Sequence, residues 1–129
     1  MSLENYYKKI TKQHEETIAI DFDGVIHKNS KGFFDGTVYD EPIKGTKEAL
    51  KNLSQKYKLI IFTCKAKPDR PLIDNKTGKE LISEWLSKYN LLQYVDDITS
   101  EKPRAKYYID DKAVYFLNWE NTINEITNR

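Results

Sequence analysis

The chain has 129 residues, with 21 Lys and Arg against 20 Asp and Glu and a single Cys. That length stabilises one hydrophobic core better than two, and a net charge of +1 leaves no global basic field to recruit nucleic acid or an anionic membrane, although a local patch is compatible with it. Cys64 alone excludes an intramolecular disulfide and a multi-cysteine zinc site, no apolar run approaches the roughly 20 residues that span a bilayer, and the start Met1-Ser2-Leu3-Glu4-Asn5 lacks signal-peptide regions, so a single cytoplasmic domain over 1–129 is expected.

In chain order, residues 1–13 carry a helical stripe of Leu3, Tyr6, Tyr7 and Ile10. Thr17 to Phe22 then forms an apolar run of strand length that ends in Asp21-Phe22-Asp23-Gly24. Residues 24–44, punctuated by Gly24, Gly32, Gly36 and Pro42 around Val25-Ile26 and Thr37-Val38-Tyr39, predict a hairpin or flap. A second helical stripe holds Ala49, Leu50, Leu53 and Tyr57, and a second strand runs from Leu59 to Thr63. A loop with Pro68, Pro71 and Asn75 precedes the strongest stripe, Leu81, Ile82, Trp85, Leu86 and Tyr89. Val95 to Thr99 reads as a weaker strand and Tyr107-Tyr108-Ile109 as a short fourth one ending in Asp110-Asp111. Trp119, Ile123 and Ile126 make a last helix with Asn118 as its N-cap. The first two strands are apolar almost throughout rather than alternating, which suits a parallel sheet covered on both faces. Strands alternating with helices argue an α/β sandwich.

In such a sheet Asp21, Asp23, Thr63, Asp110 and Asp111 fall on one edge, where open α/β folds bind ligands. Four carboxylates there repel one another unless something offsets the charge, and Mg²⁺ prefers that donor chemistry. Each piece has a plainer explanation alone. Asp-x-Asp-Gly occurs as a turn, Asp110-Asp111 as a helix cap, Thr63 as an idle strand end and Lys102 as a solvated lysine. Their fixed order is more specific than any one of them.

Together these elements resemble the haloacid dehalogenase superfamily of phosphohydrolases. Its first motif matches Ile18-Ala19-Ile20-Asp21-Phe22-Asp23-Gly24-Val25-Ile26 and its second Leu59-Ile60-Ile61-Phe62-Thr63. Its third matches Lys102-Pro103 and its fourth Tyr107-Tyr108-Ile109-Asp110-Asp111. The resemblance implies a Rossmann-like three-layer sandwich, mostly parallel, with a β-hairpin flap and no cap domain. It implies a Mg²⁺-dependent phosphomonoester hydrolase working through an aspartyl-phosphate. Asp21 would be the nucleophile, Asp23 the acid and base, and Thr63 and Lys102 the phosphoryl-holding groups. Asp21, Asp23, Asp110 and Asp111 would form the metal site, with Asp111 the better direct ligand than Asp110. The expected partner is a phosphorylated substrate, either a small molecule or the end of a nucleic acid or a protein. Nucleic acid enters only as substrate, no membrane is involved, and a second subunit could close the open site.

Several residues stay open between function and packing. Lys65, Lys67, Arg70, Arg104 and Lys106 read equally as a basic rim or a solvated face. His27 reads as a surface or packing residue, Tyr107, Tyr108 and the Trp85 stripe as core or helix-packing residues, and Cys64 as inert. One competing reading is a phosphoacceptor receiver domain, disfavoured because Lys102 precedes the acidic pair here. Another is a non-catalytic phosphate- or metal-binding domain on the same fold. No Gly-x-x-x-x-Gly-Lys-[Ser/Thr] loop supports a kinase.

Overall fold

The computed structural model describes Leu3, residues 16–110 and residues 118–128. Apart from Leu3, the helix expected over 1–13 lies outside the described residues, as do Asp111 and the side chain of Ile126. Four strands, β1 (Thr17–Asp21), β2 (Lys58–Phe62), β3 (Asp97–Thr99) and β4 (Tyr107–Ile109), form an all-parallel sheet in the order β3-β2-β1-β4. Helix α1 (Thr46–Ser54) joins β1 to β2, α2 (Gly78–Lys88) joins β2 to β3, and α3 (Trp119–Thr127) follows β4. This is the α/β layering that the alternation of periodicities predicts.

The apolar character of β1 and β2 has a direct cause. Side chains alternate between faces along a strand. Ile18, Ile20, Leu59 and Ile61 join the main core with Leu50 of α1 and Ile82, Trp85 and Leu86 of α2. Ala19 and Ile60, which face the other way, are buried as well. With both faces closed to solvent, neither strand carries a polar residue between its first position, Thr17 or Lys58, and its end.

The connection before α2 is closely specified. Asp74 and Asn75 take φ of 52° and 63°, and Ile73 and Lys76 exchange backbone hydrogen bonds around them. That is a two-residue turn with both central residues left-handed, a conformation that Asp and Asn tolerate better than most. Thr77 then caps α2. Its hydroxyl accepts from the Glu80 amide at 3.1 Å, and the Glu80 carboxylate accepts from the Thr77 amide at 3.2 Å, so two orphan donors of the first turn are satisfied. Gly78 follows because nothing larger fits. A Cβ there would lie 1.6 Å from the Lys65 carbonyl oxygen.

Two expectations differ from the structure. Residues 24–44 contain no regular strand, so no β-hairpin is formed there. The segment is a loop closed at its base, where the Ile43 amide donates to the Ile26 carbonyl and the Lys28 amide to Glu41, both at 2.9 Å. Side chains hold its interior: Asp40 accepts from the Ser30 hydroxyl and amide, and Tyr39 accepts from the Lys31 amide and donates to the Gly32 carbonyl. These bonds replace a ladder. The Ser30 hydroxyl and amide and the Glu41 amide hold the Asp40 carboxyl down at about 2, so the loop keeps this anchor through ordinary acidic pH. Tyr107 and Tyr108 are not packing residues of the core; they are 49% and 42% exposed. Their strand ends the described sheet order, and its ring contact is an edge-on one between Tyr107 and Tyr57.

Because the Gly78 contact is with backbone, a methyl group there has to displace the chain at Lys65. Gly78→Ala is expected to lose about 1–3 kcal/mol of stability, read as a lowered urea midpoint. An unchanged midpoint would mean that the segment shifts without cost.

Candidate functional site

The parallel register brings three strand ends side by side. Ile20 pairs with Ile61 on β2 and with Ile109 on β4. Asp21 ends β1 opposite Phe62, Thr63 follows β2, and Asp110 follows β4 one residue past Ile109. Each is where the sequence places it. The Phe22 amide donates to the Asp21 carboxylate at 2.8 Å, which orients the side chain at the strand end. Thr63 is buried, and its amide donates to the Thr99 carbonyl at 2.9 Å, tying β2 to β3. Its hydroxyl oxygen accepts from the Lys65 amide at 3.3 Å, which leaves the hydroxyl proton to donate elsewhere.

Beyond Asp21 the chain folds back on itself. The amides of Val25, Ile26 and His27 all point at the Phe22 carbonyl at 3.3, 2.9 and 3.0 Å. Gly24 has a φ of 86°, which only glycine adopts readily. This winding sets Asp23 against His27. The Nδ1 of His27 lies 2.8 Å from the Asp23 carboxylate, and its Nε2 lies 3.0 Å from the Asp40 amide. That amide can only donate, so Nε2 accepts and the proton sits on Nδ1, donating to Asp23. His27 is wholly buried between Phe22, Tyr39 and Trp85. The Trp85 indole in turn donates to the Asp40 carbonyl at 2.8 Å.

Asp23 has a second partner, the Lys65 ammonium at 3.0 Å, with Lys65 8% and Asp23 27% exposed. Burial pushes the Asp23 carboxyl up, but the hydrogen bonds from His27 and Lys65 and the Lys65 charge outweigh it and leave it below its ordinary value. The charge crowding at the edge is therefore offset in part by the chain's own lysine. Neither His27 nor Lys65 stands out in the sequence. A lone histidine six residues past the nucleophile position carries no signal, and Lys65 looks like any member of a basic stretch.

Lys102 does not join this cluster through any contact seen among the described residues; its ammonium lies 4.7 Å from the centre of the Tyr108 ring. Arg104 and Lys106 are exposed, and Lys106 sits over Tyr107. Cys64 is exposed and free. Asp23 and Thr63 line a cleft of about 560 Å³ together with Lys65, Lys67, Asp69, Arg70 and the loop residue Phe33, whereas Asp21 and Asp110 lie outside its lining.

No family model, curated protein or solved structure matches this chain. For a metal, the donor chemistry fits a hard divalent cation, since Asp21 and Asp110 end neighbouring strands and carboxylates are preferred ligands. Among the described residues no three ligating side chains stand together, and Asp111 lies outside them. No helix among the described residues is long and apolar enough to cross a membrane.

Lys65→Met leaves the Asp23 carboxylate half-buried with one partner fewer. The expected loss is about 2 kcal/mol at pH 7, measured by urea unfolding. The sign with pH follows from the lowered Asp23 carboxyl: its contribution is complete above the ordinary carboxylate range and is lost as pH falls through its depressed value. The gap between wild type and Lys65→Met should then narrow as pH drops below 4. A gap constant with pH would assign the loss to packing.

Proposed function

We propose that this chain is a Mg²⁺-dependent phosphomonoester hydrolase that works through an aspartyl-phosphate, on a haloacid dehalogenase-like fold without a cap. The observation that carries this reading is the alignment of Thr63, Asp21 and Asp110 on three adjacent parallel strand ends, beside a cleft lined by Asp23. The loop over 24–44 takes the place of the flap, since its Phe33 reaches the cleft wall.

On this reading Asp21 attacks phosphorus in line with the leaving oxygen, forming the carboxyl–phosphate bond as the ester bond breaks. Asp23 delivers a proton to the departing alkoxide. A water then attacks the aspartyl-phosphate, gives its proton to Asp23, and restores the free carboxylate of Asp21. The Thr63 hydroxyl donates to a phosphoryl oxygen. Asp21 and Asp110, with Asp111 as the further ligand implied by the motif, would hold Mg²⁺. When bound, the ion screens the repulsion between a carboxylate and a phosphate dianion.

The clasp on Asp23 bears on the two halves differently. Held by His27 and Lys65, Asp23 is a carboxylate, which is the form that accepts a proton from water. The first half needs the proton on Asp23. A bound phosphate supplies a competing anion for Lys65 and so releases one carboxylate oxygen, which takes up a proton from solvent and passes it to the leaving oxygen. Lys65 thus takes the phosphoryl-holding part expected of Lys102.

The test is hydrolysis of an aryl phosphate with Mg²⁺. Turnover is expected with the metal and none in excess chelator. Asp21→Asn should abolish it, and Asp23→Asn should slow it by about 10²–10⁴-fold. Full activity in chelator or in Asp21→Asn would overturn the mechanism.

A further inference from the structure

The cleft beside Asp23 does not end there. A second cavity of about 180 Å³ adjoins it, and Phe33, Lys65, Arg70 and Pro71 line both. The two ends differ in chemistry. The first holds Asp23, Thr63 and Asp69, whereas the second is walled mainly by Ile73, Leu81, Gly36, Gly78, Phe33 and Pro71, with Asp35 and Lys76 at its polar side. Arg70 sits where they meet. It is half-buried, and neither it nor Lys67 has an ion-pair partner among the described residues. Lys65, paired with Asp23 at 3.0 Å, is the group that serves the transferring phosphoryl on the reading above. Phe33 is 74% exposed, with its ring on the wall of both cavities.

A phosphoryl group at the strand ends uses none of Arg70, Lys67 or Phe33. An unpaired, half-buried guanidinium matches a second anion, because Arg binds phosphate through paired, charge-assisted hydrogen bonds. An exposed ring over a cavity that is apolar on one side and polar on the other matches a planar heterocycle. The combined volume is that of a small-molecule site rather than a macromolecular groove. Resting on the phosphatase reading, we infer that the substrate is a nucleoside bisphosphate. One phosphomonoester is cleaved at Asp21, the second phosphate is held by Arg70 and Lys67, and the base lies against Phe33 in the second cavity. The loop over 24–44 brings Phe33 to both cavities.

The experiment measures kcat/KM with Mg²⁺ for a nucleoside 3′,5′-bisphosphate, the two matching mononucleotides, and ribose 5-phosphate. The wild type is expected to favour the bisphosphate over either mononucleotide by about 10-fold or more. Arg70→Ala should bring that ratio close to 1, Lys67→Gln should reduce it, and Arg70→Lys should keep part of it. Phe33→Ala should instead collapse the preference for mononucleotide over ribose phosphate. Thermal melts of each variant report folding independently, and the exposed Lys67 and Phe33 serve if Arg70→Ala is unstable. Equal constants for all four substrates in the wild type, with turnover still dependent on Asp21, overturn the inference and leave the phosphatase reading standing. If no phosphomonoester is turned over, calorimetry with the bisphosphate decides the subsite. Binding weakened about 10-fold in Arg70→Ala retains the site and rejects the chemistry, whereas no binding rejects both.

Discussion

The Asp23 carboxylate is charged and largely withdrawn from water, and it must be partnered where it stands. Much of the local architecture follows from that requirement. Its partner His27 is wholly buried, and the Asp40 amide on its other nitrogen holds it in the form that donates to Asp23. Asp40 is held in turn by Trp85 of α2 and by Ser30 in the loop. Lys65 reaches Asp23 from the opposite side, on the segment after β2. One carboxylate therefore joins the end of β1, the loop over 24–44, the segment after β2 and α2. A cost that would destabilise an isolated site becomes the link among four elements.

Parallel pairing does the rest. Because β1 pairs in step with both β2 and β4, residues at the end of each run arrive together with no need for sequence proximity. In β1 and β2 a slip of one residue would exchange the faces of every side chain and put Ala19 where Ile18 or Ile20 packs into the core. Gly78 then sets how near α2 comes to the segment carrying Thr63 and Lys65.

The strands and helices were legible because burial on both faces leaves a simple mark, a run such as Leu59-Ile60-Ile61-Phe62 closed by a polar residue. The acids were legible because Asp21, Asp23 and Asp110 interrupt or follow such runs. His27 and Lys65 were not, since their roles depend on contacts made across the fold: Asp40 lies 13 residues from His27, and Lys65 meets Asp23 only once β1 and β2 are paired. Over 24–44 the strand composition of Thr37-Val38-Tyr39 suggests a hairpin, while the Ser30–Asp40 and Tyr39–Gly32 bonds that organise the loop leave no periodic trace. Tyr107 and Tyr108 were misread because aromatic content does not reveal whether a strand is central or last in the sheet.

The Trp85 indole adds a consequence of a spectroscopic kind. It is nearly buried, donates to the Asp40 carbonyl, and stands edge-on to His27. The chain's other tryptophan, Trp119, is 71% exposed. Their surroundings separate their emission, with the buried indole to the blue and the exposed one to the red. The blue component then works as an intrinsic optical gauge of the Asp23 clasp, readable in the unlabelled protein.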